Sequence, residues 1–380
     1  MIKVTYSNRT RLSGNSLRKR ALVISGLLYS KHVSKPGLDV AKTLSHLCKN
    51  NVKIILFPSF TFKSISRSLW QWLAREISLA LKILKSQNKV DLVVIHQMVA
   101  VFACFLAKIL RSKVIVYVGG SIYEGLHQRG LAKIMALASI LLWKIQLRLA
   151  DMIVVPAKQL IQLSKLTTYT HKVRIAPTRI INTPPLEEIN YNKEMFRNEN
   201  IVGYVGRFEI EKGIEALPKI ICLTCKVKKS VNLKWILIGD GSLRQRIENE
   251  IKKLGLTNIV QFTGWVKNPE TYMAKMRLLI LPSNTEGVPN VILEAMACGT
   301  PVLATPVGGI PNIIKDGETG FLLKSNDPKH IAKRIIELLN KPDLLKKVSI
   351  NAYNYVRENF SYEKTLEAWR KILSELQSNK

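Results

Sequence analysis

Cysteine is scarce. The 380 residues hold five (Cys48, Cys104, Cys222, Cys225, Cys298), too few and too scattered for a disulfide framework, which points to a reducing compartment. Long hydrophobic runs are also missing. The longest, Met98–Leu110 and Ile134–Trp143, are interrupted or bracketed by Lys108, Lys133 and Lys144 and fall short of the ~20 residues that span a bilayer. The basic N-terminal stretch shows no apolar core or small-residue cleavage site at signal-peptide spacing, so a cytoplasmic chain without a spanning helix is expected. No solenoid-period repeat or low-complexity tract occurs, which excludes repeat arrays and fibres. Acidic residues are few: 27 Asp and Glu against 58 Lys and Arg leave a net charge of +31, so an acidic partner is expected. What is present is globular, with 47% apolar and 22% charged residues and a length that suits two domains.

Strand-like runs recur, each followed by a helical pattern. The first half reads ALVISG (21–26), NVKIILF (51–57), VDLVVIH (90–96), KVIVYVGG (113–120), DMIVVP (151–156) and KVRIAP (172–177). The second half reads IVGYVG (201–206), KWILIG (234–239), NIVQFTG (258–264), RLLILP (277–282), TPVLAT (300–305) and TGFLL (319–323). Continuous Val/Ile/Leu runs suit parallel strands covered on both faces, so a doubly wound α/β architecture is expected. Pro184–Pro185 and the polar stretch after them interrupt the pattern. We therefore divide the chain into a first Rossmann-like domain (1–183), a linker (184–199) and a second Rossmann-like domain (200–361). The basic excess is uneven: residues 1–195 hold 30 Lys/Arg and 8 Asp/Glu (+22), and residues 196–380 hold 28 and 19 (+9).

Three clusters in the second domain fall where a strand gives way to a helix, the edge where open α/β sheets bind ligands. In GYVGRFEIEKG (203–213) a strand ends at Gly206, and Arg207 and Lys212 follow on the turn and early helix, a pairing suited to a diphosphate. In LIGDGSL (237–243), Gly239 and Gly241 would let a ligand approach the backbone. In PSNTEGVPNVILEAMACGTPVLAT (282–305), Glu286 lies on a loop. Gly287, Val288, Pro289 and Asn290 lead into a helix containing Glu294, with Pro289 suited to its first position. Two carboxylates beside one crevice suit sugar hydroxyls, which donate to ionised acceptors. The bland alternatives are solvated loop cations, an ordinary G-x-G turn, and one capping acid with one surface acid.

The segment from Gly203 to Leu323 resembles the donor-binding domain of family-4 retaining glycosyltransferases, which have the GT-B fold: two Rossmann-like doubly wound domains facing a central cleft. The matching pieces are VGRFEIEKG, GDG, FTGWV, EGVPNVILEAMACGTPV, VGGIP and DGETGFLL, in that order. The resemblance implies that Arg207 and Lys212 bind the donor diphosphate, Glu294 the ribose hydroxyls and Glu286 the transferred sugar. The amides of Gly287 to Asn290 would approach sugar and phosphate, and residues around Gly264–Lys267, Val266 among them, would sit by the nucleobase. It implies a nucleotide-diphosphate sugar as donor, with UDP or GDP as carrier, no cofactor, no metal and retention of anomeric configuration. Residues 362–380 would pack back on the first domain, which would bind the acceptor. Asn312 stands where the family's G-G-x-P segment often continues with Glu.

The first domain departs from the family pattern. Its central strand runs into Gly119, Gly120 and Ser121 without a His before the glycines. His96 and His127 are the candidates for contact with the acceptor, against the commoner reading of a lone histidine as structural. Residues 64–84, with Trp70 and Trp72 among Arg67, Arg75 and Lys82, and residues 131–151, with Lys133, Lys144 and Arg148, are basic amphipathic patterns that suit an anionic membrane surface. They equally suit a buried face backed by a solvated one. The expected acceptor is a glycan or a polyprenyl-phosphate-linked saccharide. The alternatives are a GT-B-fold nucleotide-sugar epimerase, a non-catalytic glycosyltransferase-like scaffold, and a nucleic-acid-binding protein. The last would need a binding module or stacking aromatics on a basic sheet, and neither is evident, so no nucleic-acid partner is expected. Cys222 and Cys225 form a C-x-x-C without a partner pair, a poor zinc site.

Overall fold

The structure is a computed structural model. It describes all residues except 1–20, 26–27, 30–31, 34–42, 45, 48–51, 57–73, 75, 79–80, 82–89, 97–98, 120–132, 178–180, 182, 184–199, 228–232 and 379–380. The chain forms two compact units: Met1–Ile180 with Glu363–Lys380, and Ile181–Tyr362. The expected linker, 184–199, lies outside the described residues.

In the first unit, strands β1 (Ala21–Ser25), β4 (Val52–Leu56), β5 (Leu92–His96), β6 (Lys113–Tyr117), β7 (Met152–Val155) and β8 (Val173–Ile175) form one sheet in the order β4-β1-β5-β6-β7-β8. All five pairings are parallel. Each falls on one of the apolar runs, and β5 and β7 are buried throughout, as strands covered on both faces must be. A small antiparallel pair, β2 (Leu28–Tyr29) with β3 (His32–Val33), follows β1; it is too short to show in the apolar pattern.

Strand order fixes where the helices go. From β4 onward the chain moves steadily across the sheet, and right-handed crossovers then put every connection on one face. That face carries the helical residues 74, 76–78 and 81, helix α1 (Val101–Ile109), helix α2 (Lys133–Leu149) and helix α3 (Gln159–Leu163).

The second unit repeats the plan. Strands β9 (Asn200–Val205), β10 (Leu233–Ile238), β11 (Val260–Gly264), β12 (Leu278–Leu281), β13 (Val302–Ala304) and β14 (Phe321–Leu322) form a parallel sheet ordered β11-β10-β9-β12-β13-β14. The intervening helices are α4 (Leu217–Val227), α5 (Arg244–Lys253), α6 (Glu270–Met273) and α7 (Asn290–Ala297); α8 (Pro328–Leu339), α9 (Pro342–Asn359) and α10 (Tyr362–Ser378) follow β14. The start of α8 shows the local logic. Asp327 caps it by accepting from the Lys329 N–H, Pro328 takes the first position, and Ile331, Ala332, Ile335, Ile336, Leu338 and Leu339 recur at helical spacing and are buried. Burial of each large side chain of this kind is worth about 1.5–3 kcal/mol. At the end of the chain, the Trp369 indole donates to the Pro177 carbonyl (3.0 Å) and Arg174 of β8 pairs with Glu375 (2.5 Å), which ties α10, whose residues from Glu363 on belong to the first unit, to β8 and the residues just after it.

Candidate functional site

The sheet order of the second unit reverses between β9 and β12: the chain builds outward from β9 through β10 to β11, then returns to the other side of β9 for β12. Loops leave the sheet in opposite directions at such a switch point, which opens a crevice at the carboxyl ends of the strands. The two loops that flank it here are 206–216 and 282–289, which carry Arg207, Lys212 and Glu286.

These loops are stitched together by backbone. The N–H groups of Asn284 and Thr285 donate to the Glu211 carbonyl at 3.0 and 3.4 Å, and the Asn284 side chain donates to the Ile210 carbonyl at 2.9 Å. Gly213, at φ +64°, lies so close that a Cβ there would be 1.9 Å from the Pro282 carbonyl oxygen. The result is that Lys212 Nζ reaches both oxygens of Glu286, at 2.7 and 2.8 Å. Ser283 Oγ donates to the same carboxylate at 2.7 Å, and Thr305 Oγ1 donates to the Ser283 carbonyl at 2.6 Å. Glu286 is buried, its side chain only 4% exposed, and a carboxylate so buried is tolerable because three charge-matched or polar contacts replace its water.

The next loops close around this pair. Gly309 N–H donates to the Gly287 carbonyl at 2.7 Å, and Gly308 (φ +60°) lies where a Cβ would be 1.7 Å from the Glu286 carbonyl oxygen. On the other side, Phe208 N–H donates to the Asp240 carbonyl and Gly239 N–H to the Gly264 carbonyl, both at 2.9 Å. Gly206, Gly239, Gly241 and Val266 therefore belong to one continuous rim of loops after β9, β10 and β11. The rim is pinned further by Glu209, whose carboxylate accepts from the Ser242 N–H (3.0 Å) and hydroxyl (2.6 Å). Beneath it, buried Tyr204 donates to the Arg207 carbonyl at 2.8 Å. Burial, with the Glu286 charge adding to it, pushes that phenol up, so it stays a donor.

Several expectations need correcting. Arg207 and Lys212 are each held by a carboxylate. Arg207 pairs with Glu211 at 2.6 Å and Lys212 with Glu286, because each loop brings its own carboxylate within reach. Lys212 ends a single 3₁₀ turn, Ile210–Lys212, not the start of an α-helix; Gly213 then breaks the helical path. Pro289 is the residue before helix α7, extended at ψ 114°, and Asn290 is the first helical residue. The preceding residue, Pro289, offers that helix start no side-chain cap. Glu294 is in the second turn, half-buried, on the same helix face as Asn290.

Sequence reasoning missed Ser283, Thr305 and Glu209. Ser283 and Thr305 are ordinary hydroxyl residues on loops and give no pattern to read. Gly308 and Gly309 were visible as part of VGGIP but had no stated role.

In the first unit, Gly119 follows β6 and is half-buried; Gly120, Ser121 and His127 lie outside the described residues, as do Trp70 and Trp72. His96 ends β5, wholly buried, and stacks on Tyr117 of the adjacent strand with 4.9 Å between ring centroids. It faces the core of its unit, so an acceptor contact through this ring is withdrawn. Burial pulls its pKa from 6.5 down to about 4. Because the unfolded chain takes up the proton first, the folded state is fully stable above pH ~6.5 and loses up to about 3 kcal/mol as the pH falls towards 4. Replacing His96 with Phe is expected to flatten that limb of the pH–stability curve in urea denaturation; an unchanged slope would contradict a buried neutral imidazole.

Among the described residues no cluster of three or more His, Cys, Asp or Glu could hold a metal ion. Cys222 and Cys225 are free thiols on α4. Among them, too, no helix is long and apolar enough to cross a membrane.

Two parallel-sheet α/β units of this kind define the GT-B fold. The structure is similar to that of the Anabaena protein HepE, solved in complex with UDP, at a TM-score of 0.70 and 18% identity, covering 94% of this chain and 100% of that one. Residues 187–355 match the model of the family described as glycosyl transferases group 1. The chain is 36% identical over 190 residues to an uncharacterized glycosyltransferase of Methanocaldococcus jannaschii, covering 49% of this chain and 52% of that one. It is 30% identical over 195 residues to the GalNAc-alpha-(1->4)-GalNAc-alpha-(1->3)-diNAcBac-PP-undecaprenol alpha-1,4-N-acetyl-D-galactosaminyltransferase of Campylobacter jejuni, covering 50% and 52%. These matches span about half the length of the curated relatives.

Proposed function

We propose that this protein is a retaining, metal-independent glycosyltransferase of the family-4 type, taking a sugar from a nucleotide-diphosphate donor held by its second unit. The observation that carries the reading is the meeting of the β9 and β12 loops at the switch point, with Lys212 on Glu286 and the start of α7, to which Pro289 gives no side-chain cap, just beyond. A helix start offers N–H groups and the positive end of a dipole to a diphosphate. Arg207 is the cation best placed to join them. Its pairing with Glu211 is more than a third exposed on the Arg207 side, and such pairs cost little to exchange. Lys212 serves chiefly by holding Glu286, a buried acceptor, against the transferred sugar. Glu294 receives the ribose hydroxyls, and Val266 and the backbone after β11 border the base. The unit then works by positioning the donor and by stabilising the departing diphosphate, whose phosphate oxygen takes the acceptor's proton in a front-side displacement. HepE was solved with UDP, which supports a UDP-sugar.

The acceptor is proposed to be a glycan linked to a polyprenyl carrier, met by the first unit at the cytoplasmic face of a membrane. The substrate in the Campylobacter relative's name is carried on PP-undecaprenol, which supports this.

A panel of UDP-, GDP- and ADP-sugars read by thermal shift tests the donor. A ligand at 100 times its Kd adds about 2.7 kcal/mol to folding stability. One carrier is expected to raise the melting temperature, and Glu294→Ala is expected to abolish that rise while leaving the ligand-free melting temperature within a degree or two. A rise that survives in the variant refutes the role of Glu294; no rise with any carrier refutes the donor site.

A further inference from the structure

Thirteen large apolar side chains are exposed among the described residues, and nine of them lie on one layer, the helical face of the first unit. Exposed apolar residues normally occur singly. Here they are periodic. Phe102, Phe105 and Ile109 form an i, i+3, i+7 stripe on α1, and Leu137, Leu141 and Ile145 an i, i+4, i+8 stripe on the neighbouring α2. Ile77 and Leu81 continue the pattern on the third segment of the layer.

Helix α1 is turned in an unusual sense: its buried side is small, Ala103, Cys104 and Ala107, and its phenylalanines face outward. That orientation is held from both flanks. The buried Glu76 carboxylate accepts from the Phe102 N–H (3.1 Å) and the buried Gln146 amide from the Ala100 N–H (2.6 Å), so both neighbouring segments cap the start of α1.

The charges around the stripes share one sign. Lys108, Arg111, Lys144 and Arg148 are exposed on the same helices and their ends. Of the described acids nearby, Glu76 is turned inward and Asp151 accepts from Lys108 and the Val114 N–H. The whole unit holds 33 Lys/Arg against 8 Asp/Glu, a net +25. A second copy would set +25 against +25, and a nucleic acid would satisfy the charge but leave the apolar stripes bare.

We infer that this layer is the surface by which the protein docks on an anionic phospholipid bilayer, with the α1 and α2 stripes entering the headgroup boundary and the basic residues meeting the lipid phosphates. The inference rests on the membrane reading above and assigns it a face; it needs no sugar nucleotide.

The test is co-sedimentation of the full chain with vesicles of phosphatidylcholine, alone or mixed with phosphatidylglycerol. Wild type is expected to bind the mixed vesicles. Phe105→Asn with Leu141→Asn is expected to weaken binding about tenfold at low and high salt alike, because apolar insertion is not screened. Lys144→Glu with Arg148→Glu is expected to weaken it at low salt only. Thermal melts of both variants check that they fold. If wild type binds neither vesicle, the membrane reading fails altogether. If the apolar variant binds as wild type does, this face is the wrong one. A dimer in sedimentation velocity that the apolar variant abolishes, without change in vesicle binding, would assign the surface to a second copy and overturn the inference.

Discussion

Replacing Lys212 with methionine is expected to destabilise the protein by about 3 kcal/mol, the low end of what breaking a buried ion pair costs. The reason lies on the Glu286 side. That carboxylate is 4% exposed and reaches Lys212 through both oxygens, so without the ammonium it keeps the Ser283 hydroxyl but little solvent. Lys212 is 19% exposed and can recover some water, so Glu286→Gln is expected to cost less, about 1–2 kcal/mol. Converting both, Lys212→Met with Glu286→Leu, should recover much of the loss, because no charge is then left buried. Urea denaturation of these variants, together with the single Glu286→Leu, closes the cycle. A Lys212→Met cost below about 1 kcal/mol, or a coupling near zero, would mean the pair is not what holds the two loops together.

Replacing Gly308 with alanine is expected to do comparable damage for a different reason. The left-handed backbone alone costs a non-glycine residue about 1–3 kcal/mol. In addition, the new Cβ would lie 1.7 Å from the Glu286 carbonyl oxygen, a backbone atom that no rotamer change can move. The 286–287 segment must shift, and Glu286 with it. Gly317 supplies the control: its φ is +75°, but a Cβ there meets nothing within 4 Å. Gly317→Ala is therefore expected to lose about 1 kcal/mol and keep the donor-induced thermal shift, while Gly308→Ala loses both. Equal behaviour of the two variants would show that the contact with Glu286 does not shape the proposed donor site.

Much of the fold was legible because parallel strands are buried on both faces. Runs such as DLVVIH and RLLILP have no polar alternation and could hardly be anything else, and each of the twelve runs falls on a strand. The loop clusters were legible as well, because glycines and charged residues interrupt apolar runs where strands end. What those side chains do with one another was not. Arg207 and Lys212 read as a pair of cations, yet each is met by a carboxylate, one four residues away and the other 74. The support from Ser283 and Thr305 depends on loops from β12 and β13 lying side by side, which no local pattern encodes. His96 read as a candidate contact, but its neighbour in space is Tyr117, one strand over, and burial between them decides its chemistry.

The linear order of residues thus settled which segments are strands, which strand ends carry charge, and how basic the first half is, since these follow from composition and period along the chain. Strand order settled the rest. Returning β12 to the far side of β9 brings Lys212 and Glu286 into contact, and right-handed crossovers gather the outward-facing aromatics and leucines of the first unit on one face. Both are consequences of chain crossing, where residues distant in sequence become neighbours because the sheet, with its twist and handedness, leaves them no other place.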